Sequence, residues 1–389
     1  MSTKPIKIGM FKGQSQYGVL RFFVDDFAQA FAQLGCEVYI TDISQKDYLK
    51  NVLYLYSEIK PDVTIAFNSI TPGYFDNKDF FDYFGVPHIA LLVDHPIYQI
   101  YRFKNISSPN LYIGCVDRTH IDFLNEKFEN IKAFFFPHST ALEDISSTID
   151  SQRDIDLLFA GSLNNHAAII EDLKNRVTSK VFSLAMSIIE KGLKSDKYVL
   201  HELFEESLPT ILLEDKVNLL KIEQIILSRI DDYLRTEKRI QLVKILGDNF
   251  KIKIFGNGCW EEIIGNNNNV EINPMVDYKT LSSLLRRSKI VLNNTPSLPD
   301  GSHERIFEGM KNGALVFSDR GVFIEECFMG GQDMMFYDLS SGADALKQKV
   351  NFYLEHDDIR DYIAKNGMAK TLEYHTWLSR AQIIMEMLK

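Results

Sequence analysis

Between Gly301 and Asp319 the chain reads GSHERIFEGMKNGALVFSD. A serine, a histidine, a glutamate and an arginine precede a helical pattern. A second glutamate follows one turn later, and Asn312-Gly313 ends the pattern. The first turn of a helix offers free amides, which suit a phosphate. Arg305 adds a forked donor matched to a diphosphate. Glu308 lies one turn beyond Glu304 on the same face. A carboxylate there can accept both hydroxyls of a ribose, each charge-assisted bond contributing about 1.5–3 kcal/mol. Ser302 is the expected N-cap, with His303 beside it, and Gly313 closes the helix. The plainer alternative is a solvated helix face on which Arg305 pairs with one of the glutamates. Where this helix stands relative to the strands decides between the two.

The strands are legible as short apolar runs without polar alternation, the pattern of strands buried on both faces. The first set is Ile6 to Phe11, Glu37 to Ile43, Val63 to Ser69, His88 to Asp94, Leu111 to Val116 and Lys132 to His138. Helical patterns separate them. In one of these Leu20, Phe23, Phe27, Phe31 and Leu34 recur at spacings of three or four, and Gly35 follows. A second set is Ile155 to Gly161, Ile252 to Gly258, Val270 to Val276, Ile290 to Thr295, Ala314 to Asp319 and Met334 to Asp338. The expectation is α/β, with two Rossmann-like parallel-sheet domains facing a cleft. The first domain spans 1–140 and the second 153–375. The polar stretch Ser139 to Asp154 is the expected linker. Residues 164–247 have no convincing strand and read as a helical insertion in the second domain, and 376–389 as a closing helix that packs back on the first.

The chain has 389 residues, 45% of them hydrophobic and 25% charged. That is a globular composition with length for two domains. A net charge of −10 argues against a general nucleic-acid or anionic-membrane binder, though it allows a local phosphate site. Cys36, Cys115, Cys259 and Cys327 are scattered without a CxxC pair, which points away from a zinc site or a disulfide framework. The start, MSTKPIKIGMFKG, lacks a secretory pattern. No apolar run approaches the roughly 20 residues that span a bilayer. A cytoplasmic, soluble protein is expected.

Ligands of open parallel sheets bind beyond the carboxyl ends of the strands. That singles out GSLNN after Ala160, the GNG loop with Asn257, and the loop from Asn293 into the Glu304 helix. In the first domain it singles out Asp94 and His95, which end a strand just before Pro96. Either side chain can take a proton at neutral pH. Asp154-Ile155-Asp156 imitates a metal-binding DxD but begins a strand, so no metal is expected.

HERIFEGMKNGALVFSD resembles the R-x-F-E-x-M-x-x-G-A segment of GT-B glycosyltransferases, in particular the bacterial group related to spore maturation. IDLLFAGSL, VEINPMVDYKTLSSLLRRSKIVLNNT, LLVDHP and the H-T-x-x-x-R end in HTWLSRAQIIMEML resemble further segments of that group. The resemblance covers most of the chain except the helical insertion. It implies a nucleotide-sugar donor, with UDP-sugar the group's usual choice, as a substrate and not as a resident cofactor. It implies that Glu308 binds the ribose, that Arg305 with Gly161 and Ser162 holds the diphosphate, and that Met275 frames the base. The acceptor is a saccharide, a lipid-linked sugar or a protein. An epimerase of the same fold and a non-catalytic nucleotide-sugar binder are the alternatives. The insertion is expected to serve acceptor recognition or homo-oligomer formation and not donor binding.

Overall fold

The computed structural model describes residues 4–14, 18–68, 71–141, 153–208 and 216–389. Most of the expected linker, residues 142–152, lies outside the described residues. Two compact units emerge, Met1–Glu143 with Leu372–Lys389, and Asp144–Thr371.

The first unit is built on β1 (Lys7–Lys12), β2 (Glu37–Asp42), β3 (Val63–Phe67), a small hairpin of β4 (Tyr74–Phe75) and β5 (Lys78–Asp79), then β6 (His88–Leu92), β7 (Leu111–Cys115) and β8 (Ala133–Phe135). The main sheet is parallel, in the order β2-β1-β3-β6-β7-β8. Strands β3 and β6 are buried along their whole length, which is why their sequences lack polar alternation. Phe23, Phe27 and Phe31 of helix Val19–Gln33 point into the core below the sheet.

The closing helix, Trp377–Met387, belongs to this unit. The Trp377 ring lies 5.0 Å from Phe23, 5.3 Å from Phe27 and 5.5 Å from Phe67. Thr376 caps the helix through its side chain. Arg380 donates to the carbonyls of Pro137 and His138, both at 2.8 Å. The HTWLSR stretch is therefore a clasp: a cap, an aromatic anchor and a guanidinium that satisfies two buried carbonyls.

The second unit holds β9 (Ile155–Ala160), β10 (Ile252–Phe255), β11 (Val270–Asn273), β12 (Ser288–Asn293), β13 (Leu315–Asp319) and β14 (Met335–Tyr337). They form one parallel sheet in the order β11-β10-β9-β12-β13-β14. From β9 the chain steps outward to β11, then crosses back to β12, so the order reverses between β9 and β12. Both units are Rossmann-like, and the fold class is as the apolar runs imply.

Among the described residues, four helices separate β9 from β10: His166–Arg176, Ser179–Leu193, Leu200–Ser207 and Lys216–Gly247. Leu173, Ile188, Phe204, Ile230 and Leu234 share a core of their own. Ile240, Leu242, Val243 and Leu246 join the core under the sheet, with Leu157, Phe159 and Ile254. The expected insertion over 164–247 is thus not one separable body. The last turns of its 32-residue helix are the crossover that any parallel pair requires, and the same rigid helix carries the inserted bundle.

His88 supplies a test of the first core. It is fully buried in β6, with Nδ1 2.9 Å from Thr64 Oγ1 and its ring stacked on Phe81 at 4.9 Å. Burial holds the imidazole neutral and pushes its pKa down from 6.5 to about 3. Between those values the unfolded chain binds a proton that the folded chain does not, so stability falls as pH falls. His88→Gln should reduce the loss of unfolding free energy between pH 7 and pH 5 by about 2 kcal/mol. Urea unfolding at both pH values measures this, and an unchanged loss would mean that His88 is not held neutral by the fold.

Candidate functional site

The carboxyl ends of β9 and β12 flank the reversal of strand order in the second unit, where open parallel sheets take their ligands. They lead into Gly161-Ser162 and Asn294-Thr295. The turn after β9 is packed on the turn after β10. Leu163 N donates to the Asn257 carbonyl at 3.0 Å, and Asn257 N donates to Ser162 Oγ at 3.2 Å. Trp260 Nε1 donates to the Gly161 carbonyl at 2.9 Å. A Cβ on Gly256 would stand 2.1 Å from the Gly161 carbonyl oxygen, so only glycine permits this approach. Gly161, Ser162 and Asn257 therefore form one surface.

Helix Glu304–Lys311 reaches the same point from β12. Its N-cap is His303, whose Nδ1 accepts from Arg305 N at 3.3 Å. Ser302, the expected cap, stands one residue too early. It is 1% exposed, and its Oγ has no hydrogen-bond partner among the described residues. Arg305 is 8% exposed. Its NH1 group donates to Asn293 Oδ1 at 2.8 Å, and its guanidinium lies 5.5 Å from the Phe159 ring centre. Asn293 is held in turn, because its amide nitrogen donates to Ser318 Oγ at 2.8 Å and to Thr295 Oγ1 at 3.3 Å. Arg305 thus bridges the end of β12 and Phe159 of β9. Burial pushes its pKa down, against the pull of Glu304 and Asp319, and a guanidinium so placed still keeps its charge at neutral pH. Glu308, one turn on, is 5% exposed.

A second guanidinium was not apparent from the sequence. Arg239, on the helix that carries the inserted bundle, donates to the Ser162 carbonyl at 2.6 Å. Burial pushes its pKa down to about 9, and the like charges of Arg235 and Arg305 push the same way. Its Nε has no hydrogen-bond partner among the described residues. Arg235 is spoken for by Asp231 at 3.1 Å and Asp232 at 2.8 Å. Two like charges beside a glycine turn suit an anion carrying more than one charge. The inserted segment, expected to serve the acceptor or self-association and not the donor, thus places one of its arginines on the turn after β9.

Met275 follows β11, at the same end of the sheet but two strands from β9. Asp154 pairs with Arg287, and Asp156 with Lys289 at 2.7 Å. Both stand at the opposite end of β9. In the first unit, Asp94 follows β6 and is half-buried. It accepts from Asn68 Nδ2 at 3.3 Å. Asn68 sits in the left-handed region at φ 48° and also accepts from Val93 N at 3.0 Å. His95 is buried, its Nδ1 accepts from Ile97 N at 3.2 Å, and its ring packs on His120 and Phe123.

Residues 235–386 match the family model described as glycosyl transferase-like. No curated protein sequence matches the chain. Among solved structures, the chain is similar to a sucrose-phosphate synthase from Thermosynechococcus elongatus, with a TM-score of 0.56, 9% identity and 98% of each chain covered. It is similar to a glycosyltransferase from Rickettsia africae, with a TM-score of 0.53, 12% identity, and 100% of this chain and 98% of that one covered. It is also similar to Anabaena Alr3699/HepE in complex with UDP and glucose, with a TM-score of 0.52, 12% identity, and 98% and 99% covered. At such identities the likeness is one of fold, the GT-B fold. The matched segment contains Arg239, Arg305 and Glu308. It is the match of this segment that points to a glycosyltransferase. Among the described residues, no helix is long and apolar enough to cross a membrane.

Arg239→Gln removes a repelled charge while keeping a donor for the Ser162 carbonyl. The unfolding free energy should fall by no more than about 0.5 kcal/mol, the range of a neutral substitution. Affinity for inorganic pyrophosphate, read as ligand-induced thermal stabilisation, should fall at least about tenfold. Equal stabilisation of variant and wild type would remove Arg239 from the anion site.

Proposed function

We propose that this protein transfers a sugar from a nucleoside-diphosphate sugar, with UDP-sugar the donor, to a hydroxyl of a saccharide, lipid-linked or protein acceptor. The observation that carries the reading is the pair of guanidiniums at the Gly161-Ser162 turn: Arg239 donates to the Ser162 carbonyl, Arg305 lies beside Gly161, and the two are close enough to repel each other. The UDP held by the Anabaena protein supports uracil as the base. In this reading the diphosphate lies against Arg305, Arg239 and the turn, with Asn257, Ser302 and His303 lining its approach. The ribose hydroxyls donate to Glu308, and Met275 flanks the base.

The acceptor hydroxyl attacks the anomeric carbon and gives its proton to a base. The bond from that carbon to the diphosphate oxygen breaks, and its electron pair leaves on the diphosphate. The two guanidiniums stabilise that charge as it develops, the role a metal ion plays elsewhere. Asp94 is the proposed base. It is half-buried and oriented by Asn68, whereas the Nδ1 of His95 is engaged by Ile97 N. A backbone held at positive φ by its surroundings, as at Asn68, is a common mark of a working position.

Glu308→Gln should weaken UDP binding at least about tenfold, the equivalent of one charge-assisted bond, by calorimetric titration. Asp94→Asn should leave UDP affinity unchanged and lower turnover by about 10²-fold or more, as loss of a general base does. Turnover of both wild type and variants should survive EDTA. Unchanged UDP affinity in Glu308→Gln would remove that residue from the site, full activity in Asp94→Asn would remove the base, and a magnesium-reversible loss with EDTA would overturn the metal-free step.

A further inference from the structure

The connection between the second and third inserted helices, Asp196-Lys197-Tyr198, is pinned to the loop that follows β12. Lys197 Nζ lies 3.1 Å from Asp319 Oδ2, and it donates to the Thr295 carbonyl at 2.7 Å and the Leu298 carbonyl at 3.3 Å. Tyr198 N donates to the Pro296 carbonyl at 3.1 Å. Asp196 accepts from Ser340 N and Ser340 Oγ, the latter at 2.6 Å. Asp319 is 4% exposed at the end of β13, and its carboxylate accepts from Thr295 N at 2.9 Å. Thr295 Oγ1 accepts from Asn293, and Asn293 accepts from Arg305. One chain of polar contacts thus runs from the inserted bundle to the buried guanidinium.

The charges make this chain more than a brace. Burial pushes the Arg305 pKa down, and Asp319, a buried carboxylate at the end of β13, is close enough to oppose that. Lys197 is the cation paired with it. Without Lys197, a buried carboxylate stands uncompensated at the edge of an anion site. It then competes with the bound anion for Arg305, and the loop loses the donor shared by two of its carbonyls.

We infer that Lys197 is a positioning residue: the inserted bundle uses it to neutralise Asp319 and to lock loop 294–301, so that Arg305 is free to meet a diphosphate. This rests on the donor reading for what the loop serves. The sign of the effect is specific. Lys197→Met should weaken UDP binding at least about tenfold. Asp319→Asn should not weaken it, and the double variant Lys197→Met/Asp319→Asn should recover to within about threefold of wild type. Lys197→Arg keeps the charge and should bind UDP as wild type does; it stands in for the comparison if Lys197→Met does not fold.

The experiment is UDP titration of the four variants alongside hydrogen exchange of the ligand-free proteins, read over residues 294–301. Faster exchange there in Lys197→Met, together with recovery of affinity in the double variant, is the expected result. Unchanged UDP affinity in Lys197→Met, or a loss that Asp319→Asn fails to restore, overturns the inference. If the wild type binds no nucleoside diphosphate, the donor reading falls by itself. Exchange then decides the lock alone: unchanged protection of 294–301 in Lys197→Met overturns it, and faster exchange sustains it.

Discussion

A guanidinium withdrawn from water to the extent of Arg305 must have its donors satisfied or be kept for a ligand. It donates to Asn293 Oδ1, and its face rests on Phe159. Everything near it follows from holding that side chain at the point where the strand order reverses. Asn293 is oriented by Ser318 and Thr295. The glycine turn after β9 comes close because Gly256 has no Cβ to obstruct it. The helix that carries Arg305 is capped by His303, and its arginine reaches the Gly161 turn. The proposed site would be organised before its ligand arrives, at the cost of holding two like charges close together. The net charge of −10 makes the local concentration of positive charge the more specific.

The helical segment between β9 and β10 has a double task. Its final turns are the crossover helix, packed under the sheet through Leu242, Val243 and Leu246. Its earlier part is a small bundle with a core of its own around Ile188, Ile230 and Leu234. Because one continuous helix belongs to both, the bundle cannot swing freely without disturbing Arg239, which lies between the two cores. The contacts of Asp196, Lys197 and Tyr198 fasten the bundle at a second place. Two attachments on a rigid body fix its orientation, and both end at loops of the same site.

Much of this was legible in the sequence, for identifiable reasons. Parallel strands buried on both faces read as unbroken apolar runs, as in VTIAF and HIALL. Once the strands are placed, the strand-end rule singles out Gly161, Ser162 and the loop before Arg305. What stayed hidden depends on contacts between distant residues. Arg239 lies 77 residues from the carbonyl it binds and stands in the run RTEKR, which reads as a solvated helix face. Lys197 occupies a polar connection of SDK type with no periodicity at all. The helix start was misplaced by one residue because serine is the commoner cap, whereas here an imidazole nitrogen takes the backbone amide. For the two candidate bases, composition gave no order of preference, and only the capping role of His95 separates them.

The proposed transfer requires a nucleoside diphosphate lying across the Gly161-Ser162 turn in the second unit. The most direct measurement is a crystal structure of the protein with UDP. Diphosphate oxygens within about 3 Å of both Arg305 and Arg239, the distance of a charge-assisted hydrogen bond, with the ribose hydroxyls on Glu308, are the predicted result. UDP bound elsewhere, or bound at this turn with its diphosphate turned away from both guanidiniums, would contradict it.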